Sequence, residues 1–214
     1  EKVDSDGAFV QSRYLFNRHW DMTAGLRYDN IKFDVTDDYL IDGDNSDRIS
    51  FDQFSYSFGL NRKLERGVLF AAIGNSFETP TTTELANPDG SGGFNQSLEP
   101  QTAINYELGY KTGTEQLFFE IAVFHINLKN ELVPFELPDS PGRTFYINAG
   151  ESSRTGIETA GSWRSASGFG IDASLTWSDF KFDRFIDENG QDFSGSRMPG
   201  VPEHFAFLSF NYEN

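Results

Sequence analysis

The chain has 214 residues with 33 acidic and 17 basic side chains, a net charge of −16, and no cysteine. This charge excludes a nucleic-acid-binding protein, because phosphate contact needs clustered Lys and Arg. The missing cysteines exclude disulfides and Cys-ligated zinc. The 22 phenylalanines are too many for a disordered acidic chain. We therefore expect one folded domain, of a length common among β-barrels.

Hydrophobic residues recur with a period of two, which predicts an all-β protein. Phe54, Tyr56, Phe58 and Leu60, for example, alternate with small or polar residues. In chain order the predicted strands occupy residues 7–17, 20–35, 49–61, 67–79, 98–111, 115–133, 143–163, 168–185 and 203–213. Most of them reach the 9–11 residues that a tilted strand needs to cross a bilayer. A mean hydropathy of −0.49 is compatible with this, because a spanning barrel alternates apolar and polar residues.

The connections between these strands alternate between two kinds. Short polar turns are predicted at 16–19, 61–67, 111–114 and 164–168, and long Gly-, Pro- and Asp-rich loops at 36–48, 80–97, 134–142 and 186–202. Tight turns on one side and extended loops on the other are typical of outer-membrane barrels. We therefore predict an antiparallel up-and-down meander forming a partial transmembrane β-barrel. The one helical candidate is a single turn at 81–85.

The alternation also predicts which face of the sheet each side chain occupies. We expect a lipid face and a lumen face. Tyr56, Phe58, Ile104, Tyr106, Leu108, Ile171, Leu175 and Trp177 are assigned to lipid, and Asn105, Glu107, Glu158, Asp172, Ser174 and Thr176 to the lumen. For Glu107 and Glu158 we expect a salt bridge to a basic neighbour on the adjacent strand. The pattern of residues 117–128 leaves their facing open.

Five segments resemble motifs of one known family. They are Phe77–Leu85 with its F-x-x-P and E-L elements, Leu98–Lys111 with L-x-P and Y-E-x-G-x-K, Phe124–Asn130, Tyr146–Glu158 with N-x-G and G-x-E, and Arg197–Pro202 with P-x-x-P. In this order they resemble the barrel portion of TonB-dependent outer-membrane receptors, which import ferric siderophores and similar scarce nutrients. The resemblance covers most of the chain.

The resemblance implies a transport protein of the bacterial outer membrane. Its partners would be a ferric siderophore or a similar small-molecule ligand, outer-membrane lipid and lipopolysaccharide, and TonB through a plug region. No part of 1–214 resembles the plug, and a plugged transporter has 22 strands, so we expect a fragment of the barrel domain. The alternative is a free-standing small barrel, either a porin-like channel or an outer-membrane hydrolase.

Candidate ligand-binding residues lie near the ends of the long loops, where Arg and aromatic rings suit bulky anionic chelates. These candidates are Phe94, Phe135, Arg143, Tyr146, Arg184, Phe185 and Phe193. The competing interpretation places each ring in an aromatic girdle and pairs each Arg with a loop Asp.

The sequence carries little sign of catalysis or of a resident metal. His19, His125 and His204 lack the spacing of a metal site. No G-x-S-x-G motif is present. We therefore expect no catalytic residues, no metal ligands and no cofactor.

Overall fold

The structure, a computed structural model, describes residues 1–41, 43–88, 91–137, 142–187 and 190–213. Nine strands cover most of this part of the chain. They are β1 (Lys2–Leu15), β2 (Trp20–Val35), β3 (Asp47–Leu64), β4 (Gly67–Glu78), β5 (Gln101–Gly113), β6 (Leu117–Glu136), β7 (Thr144–Arg164), β8 (Phe169–Phe185) and β9 (His204–Tyr212). All nine were predicted, with ends displaced by a few residues.

The strands form one sheet in the order of the sequence, and each pairs with its neighbours in antiparallel fashion. The predicted up-and-down meander is confirmed. No helix in the described residues is long and apolar enough to cross a membrane. The turn at 81–85 is a single helical turn, in which the Leu85 amide donates to the Thr81 carbonyl at 3.0 Å.

Strand register assigns the two faces, because directly paired residues of neighbouring strands lie on the same face. One row runs from Ala71 through Leu108 and Val123 to Ile157 and Trp177. We call this side the apolar face. Leu108 and Leu175 on it are 60% and 49% exposed, so the sheet itself does not bury them.

The opposite side, the polar face, carries the other predicted set. Glu107 pairs with Phe124, and Glu158 pairs with Ala122 and Thr176. The register also resolves the segment that periodicity left open. Ala122, Phe124, Ile126 and Leu128 lie on the polar face, and Ile121, Val123 and His125 on the apolar face. The facing of residues 117–128 could not be assigned from periodicity, because both of their faces carry large apolar side chains.

The connection 79–100 folds back onto the polar face and encloses a small hydrophobic core. Leu85, Phe94 and Leu98 of the loop are buried. They pack with side chains of β2 and β3, namely Phe33, Ile49 and Phe51, and with the partly buried Leu132 and Tyr146 of β6 and β7. We call residues 79–100 the docked loop, because it lies against the sheet across several strands.

Candidate functional site

The docked loop begins with a capped helical turn after the buried Pro80. The Thr81 amide donates to Glu84 Oε2 at 2.7 Å, and the Thr81 hydroxyl lies 3.0 Å from the same oxygen. The Glu84 carboxylate thus satisfies the Thr81 amide, which the turn leaves unpaired. The turn therefore presents Leu85, which is fully buried, to the core.

The middle of the docked loop is held by the first residue of β3. Asp47 Oδ2 accepts from the Phe94 amide at 2.8 Å and from Gln96 Nε2 at 2.9 Å. Gln96 Nε2 also donates to the Arg48 carbonyl at 3.2 Å. A charged acceptor makes such bonds stronger than neutral ones. These hydrogen bonds fix the loop to the first residues of β3.

The end of the docked loop is held by a bulge between β6 and β7. Pairing is irregular between Lys129 and Leu132, and Asn130 has a φ of 57°. Asn148 accepts from the Glu99 amide and donates to the Glu99 carbonyl, both at 2.8 Å. Its amide nitrogen also donates to the Asn130 carbonyl at 2.8 Å. The Asn148 side chain thus pairs with both backbone groups of Glu99, as a neighbouring strand would.

A recess of about 360 Å³ lies on the polar face beside the base of the docked loop. We call it the wall recess. It is lined by residues Ser76, Phe77, Glu78, Gln101, Ala103, Asn105, Ile126, Leu128 and Arg154. Glu78 Oε2 accepts from Gln101 Nε2 at 2.8 Å. The wall recess therefore joins an apolar floor to charged groups, as expected of a ligand-contacting surface.

Arg154 is the cation of the wall recess, and Glu131 and Phe180 position it. Its Nη2 lies 3.1 Å from Glu131 Oε1 in an ion pair. Its guanidinium carbon lies 5.7 Å from the centroid of the Phe180 ring. Phe180 in turn meets Phe124 edge to face, with centroids 6.4 Å apart. The guanidinium is thus held by charge and by stacking, which limits its rotamers.

An aromatic row continues from this point towards the fourth long loop. Phe182 lies 4.8 Å from Phe185, and Phe185 stacks on Phe193 at 5.8 Å, measured between ring centroids. Phe180 and Phe182 share the polar face with Arg154 and Ser152, their partners on β7. The row consists of Phe124, Phe180, Phe182, Phe185 and Phe193. Two predicted candidates, Phe185 and Phe193, therefore lie side by side at the end of this row.

The structure separates the other predicted candidates. Phe94 is 7% exposed inside the loop core, and Tyr146 packs against that core. Phe135 pairs directly with Phe145, the residue before Tyr146, so it lies on the other face of the sheet. Arg143 lies with its guanidinium carbon 4.9 Å from the Phe145 centroid. The predicted set thus does not converge on one site.

Arg184 pairs with an acidic side chain, as the alternative to ligand binding predicted. Its Nη2 lies 3.0 Å from Glu151 Oε1, and both side chains are at least one-third exposed. An exposed pair of this kind contributes little stability. The partner is a strand residue of β7 rather than the loop Asp that the sequence suggested.

The fourth long loop lies along β8 and leads into the first residue of β9. The Met198 amide donates to the Phe180 carbonyl at 2.9 Å, and the Phe182 amide to the Ser196 carbonyl at 3.0 Å. Arg197 donates two hydrogen bonds to Glu203, at 2.5 and 3.1 Å. These bonds from Arg197 lower the pKa of the Glu203 carboxyl. Arg197 Nε also lies 3.4 Å from Asp179 Oδ1 of β8, so the loop is held by backbone pairing and by two ion pairs of Arg197.

The salt bridges expected for Glu107 and Glu158 are not found. Among the described residues, neither carboxylate takes part in an ion pair. The reason is the register. Glu107 faces Ala72 and Phe124, and Glu158 faces Ala122 and Thr176, so no basic side chain is opposite either one.

Sequence reasoning missed Glu78 and Arg154 as site residues. A signal was available, because Arg154 lies four positions before Glu158 and therefore shares its face of the strand. The candidates were instead chosen near the loops, since binding residues are often found there. Within the described residues, no group of three His, Cys, Asp or Glu side chains could hold a metal ion.

Comparison with known proteins assigns this architecture to a family. A family model described as the β-barrel of TonB-dependent receptor-like proteins matches residues 1–214. The metal-pseudopaline receptor CntO of Pseudomonas aeruginosa is 26% identical over 219 residues, which cover the whole chain and 29% of that receptor. The chain thus spans less than a third of this relative.

Two solved structures share the fold at low sequence identity. The copper transporter OprC matches with a TM-score of 0.79 and 18% identity, over 99% of this chain and 32% of its own. The ferric yersiniabactin uptake receptor FyuA of Yersinia pestis matches with a TM-score of 0.71 and 19% identity, over 98% of this chain and 31% of its own. The chain therefore belongs to the TonB-dependent receptor family, as part of the β-barrel with which these proteins cross the outer membrane of Gram-negative bacteria.

Proposed function

We propose that the receptor containing this chain imports a metal chelate, a ferric siderophore or a similar complex, and that it is not an enzyme. The observation that carries the proposal is the wall recess with Arg154, next to the aromatic row on the polar face. In an outer-membrane barrel the apolar side faces lipid, so this polar face lines the lumen. Cationic and aromatic groups in a lumen suit chelates, which carry ring systems and charged oxygens.

The relatives support the same class of ligand. Their names specify a metal–pseudopaline complex, copper and ferric yersiniabactin, all of which contain a metal. None of these names specifies a hydrolase or a general pore. The metal would enter as cargo inside the chelate, so the barrel wall needs no metal ligands of its own.

We further propose that the rest of the receptor supplies a plug and additional strands, and that TonB acts through the plug. Glu107 and Glu158 support this, because they are lumen carboxylates without a basic partner on neighbouring strands. A carboxylate in a confined lumen is stabilised by a cation, and a plug could provide one. The exposed apolar face would contact lipid and the acyl chains of lipopolysaccharide.

Uptake by whole cells tests the proposal. The gene for the full-length receptor would be deleted, and accumulation of radioactive iron, copper and nickel would be measured with each metal supplied as chelates. We expect uptake of at least one chelate to fall to background and to return on complementation. A complementing receptor with Glu65→Gln, at a turn remote from the wall recess, provides the control. Unchanged uptake of every chelate would contradict the proposal.

A further inference from the structure

The long connections of this chain are strongly acidic, whereas the short turns are not. Residues 36–46, 79–100, 137–143 and 186–203 contain twelve acidic residues and two basic ones, Arg143 and Arg197. The turns at 16–19, 65–66, 114–116 and 165–168 contain two acidic and two basic residues. These connections therefore contribute a negative potential on the loop side, which disfavours polyanions and favours neutral or cationic species.

The wall recess repeats this charge pattern at close range. Glu78 is exposed, and one of its carboxylate oxygens accepts a hydrogen bond from Gln101. Arg154 is 30% exposed at the side chain, and its charge is balanced by Glu131. The charged groups of the recess, with Glu131 included, therefore sum to a negative charge. Ile126 and Leu128 separate the acidic side from the basic side.

A ligand that satisfies both sides must carry both kinds of group. Glu78 can accept from an amine or ammonium, and Arg154 can donate to a carboxylate. Glu78 is on β4 and Arg154 on β7, three strand spacings apart, which is roughly 14 Å between strand axes. The register aligns Arg154 with Gly74, so Glu78 also lies four residues, roughly 13 Å, further along the strands. Both residues line the same recess, and the long Arg154 side chain spans part of this distance, so an extended chelate can contact the two groups. A hydroxamate or catecholate without an amine offers Glu78 no amine or ammonium donor.

We propose that the wall recess selects an uncharged or zwitterionic metal complex of an amino-carboxylate chelator over a polyanionic ferric complex. The amine of the chelator contacts Glu78, and one carboxylate contacts Arg154. This inference rests on the proposed function and specifies its substrate class.

Binding to the purified full-length receptor tests the proposal with two probes of different charge. The first is the uncharged copper complex of two histidines, and the second is the triply negative ferric complex of a hexadentate tris-catecholate. Dissociation constants would be measured by equilibrium dialysis at physiological salt. We expect the uncharged complex to bind at least about tenfold more tightly, a difference of about 1.4 kcal/mol. Tighter binding of the polyanion, or no binding of the uncharged complex, overturns the inference.

Substitution of Glu78 locates the effect in the wall recess. Glu78→Gln keeps the side-chain shape and removes the charge, so we expect about fivefold weaker binding of the copper complex and no loss for the ferric complex. Glu65→Gln removes the same charge at an exposed turn and should change neither constant. Equal losses for Glu78→Gln and Glu65→Gln overturn the inference. If the recess fails these tests while gene deletion still abolishes chelate uptake, the proposed function stands and the substrate class is wrong.

Discussion

Two glycines of the polar face lie beneath aromatic rings, and both belong to the motifs read from the sequence. A Cβ added to Gly109 would lie 2.3 Å from Phe70 Cζ, and one added to Gly156 would lie 2.4 Å from Phe124 Cζ. Each would also come within 2.8 Å of a backbone carbonyl oxygen. The rings cover these strands closely, and Phe124 belongs to the row that supports Arg154. The glycines of Y-E-x-G and G-x-E therefore permit close packing of the lumen wall.

Gly156→Ala should destabilise the barrel by about 1–3 kcal/mol, because the added methyl group overpacks the contact with Phe124. Urea unfolding of the full-length receptor in lipid vesicles would measure the change. Gly59→Ala is the matched control. It lies in a strand with no heavy atom within 4 Å of the added Cβ, and should be neutral or slightly stabilising. Equal effects of the two substitutions would refute the packing argument.

The ion pair between Arg197 and Glu203 should make the fourth long loop sensitive to acid. Hydrogen bonds from Arg197 lower the pKa of Glu203 in the folded protein. A lowered pKa means that the contribution is present above the unfolded pKa of about 4.3 and is lost as pH falls through the folded pKa. Hydrogen exchange in residues 190–203, corrected for intrinsic rates, should accelerate below about pH 4.

Glu203→Gln provides the control for this titration. The variant has no carboxylate at position 203, while Asp192 and Asp179 keep theirs. Its loop should therefore exchange faster at pH 6 and show a smaller step on acidification than the native protein. The same protection in the native protein at both pH values would contradict the assigned role of the pair.

At the scale of elements, the docked loop is held by few contacts, and Asn148 makes three of them. Asn148→Ala leaves the Glu99 amide and two carbonyls without these partners, and two of the three lost bonds are exposed, so the cost is below the value of about 1–3 kcal/mol for buried groups. We expect faster hydrogen exchange in residues 94–99 of the full-length receptor. Asn61→Ala removes a hydrogen bond to Asp21 at the turn end of the sheet and should leave the loop unchanged. Unaltered exchange in Asn148→Ala would show that the hydrophobic core and Asp47 hold the loop without Asn148.

The strands could be predicted from the sequence, whereas the docked loop could not. Strand residues such as Tyr56 and Leu108 carry a local signal, because alternation records which side is apolar. The loop contacts join Asp47 to Phe94 and Glu99 to Asn148, pairs separated by 47 and 49 residues. Such contacts leave no periodic trace in the sequence. Phe94 was consequently interpreted as a ligand contact, although its ring lies in the loop core.

At the scale of the whole molecule, the apolar face ends on a sharp boundary. Along β6, β7 and β8 the continuous apolar run ends at Val123, Ile157 and Trp177, and the next positions on the same face are His125, Thr155 and Asp179. Beyond this boundary β6 and β7 continue for 12 residues each. At about 3.3 Å per residue this is roughly 40 Å along the strand. The wall that carries Arg154 therefore rises above the membrane.

A charge placed within this apolar band should be costly. Leu175→Arg puts a cation on the lipid face, where the cost is about 2–4 kcal/mol near the bilayer midplane. Ser174→Arg places the same side chain on the lumen face one position away and should cost much less. Folding titrations of the full-length receptor in lipid vesicles would compare the two. Similar costs for both variants would show that the apolar face does not contact lipid.

The two outermost strands of the described sheet, β1 and β9, have unpaired edges, which should prevent residues 1–214 from folding alone. In the described part of the chain β1 pairs only with β2, and β9 pairs only with β8, so each presents one unpaired edge. In lipid every unpaired backbone group costs several kcal/mol, and in water an open edge promotes aggregation. Residues 1–214 expressed alone should therefore aggregate and bind none of the chelates that the full-length receptor binds. Size-exclusion chromatography in detergent, with the full-length receptor as control, would decide. A monodisperse, ligand-binding protein of 214 residues would show that the sheet closes on itself as a small barrel.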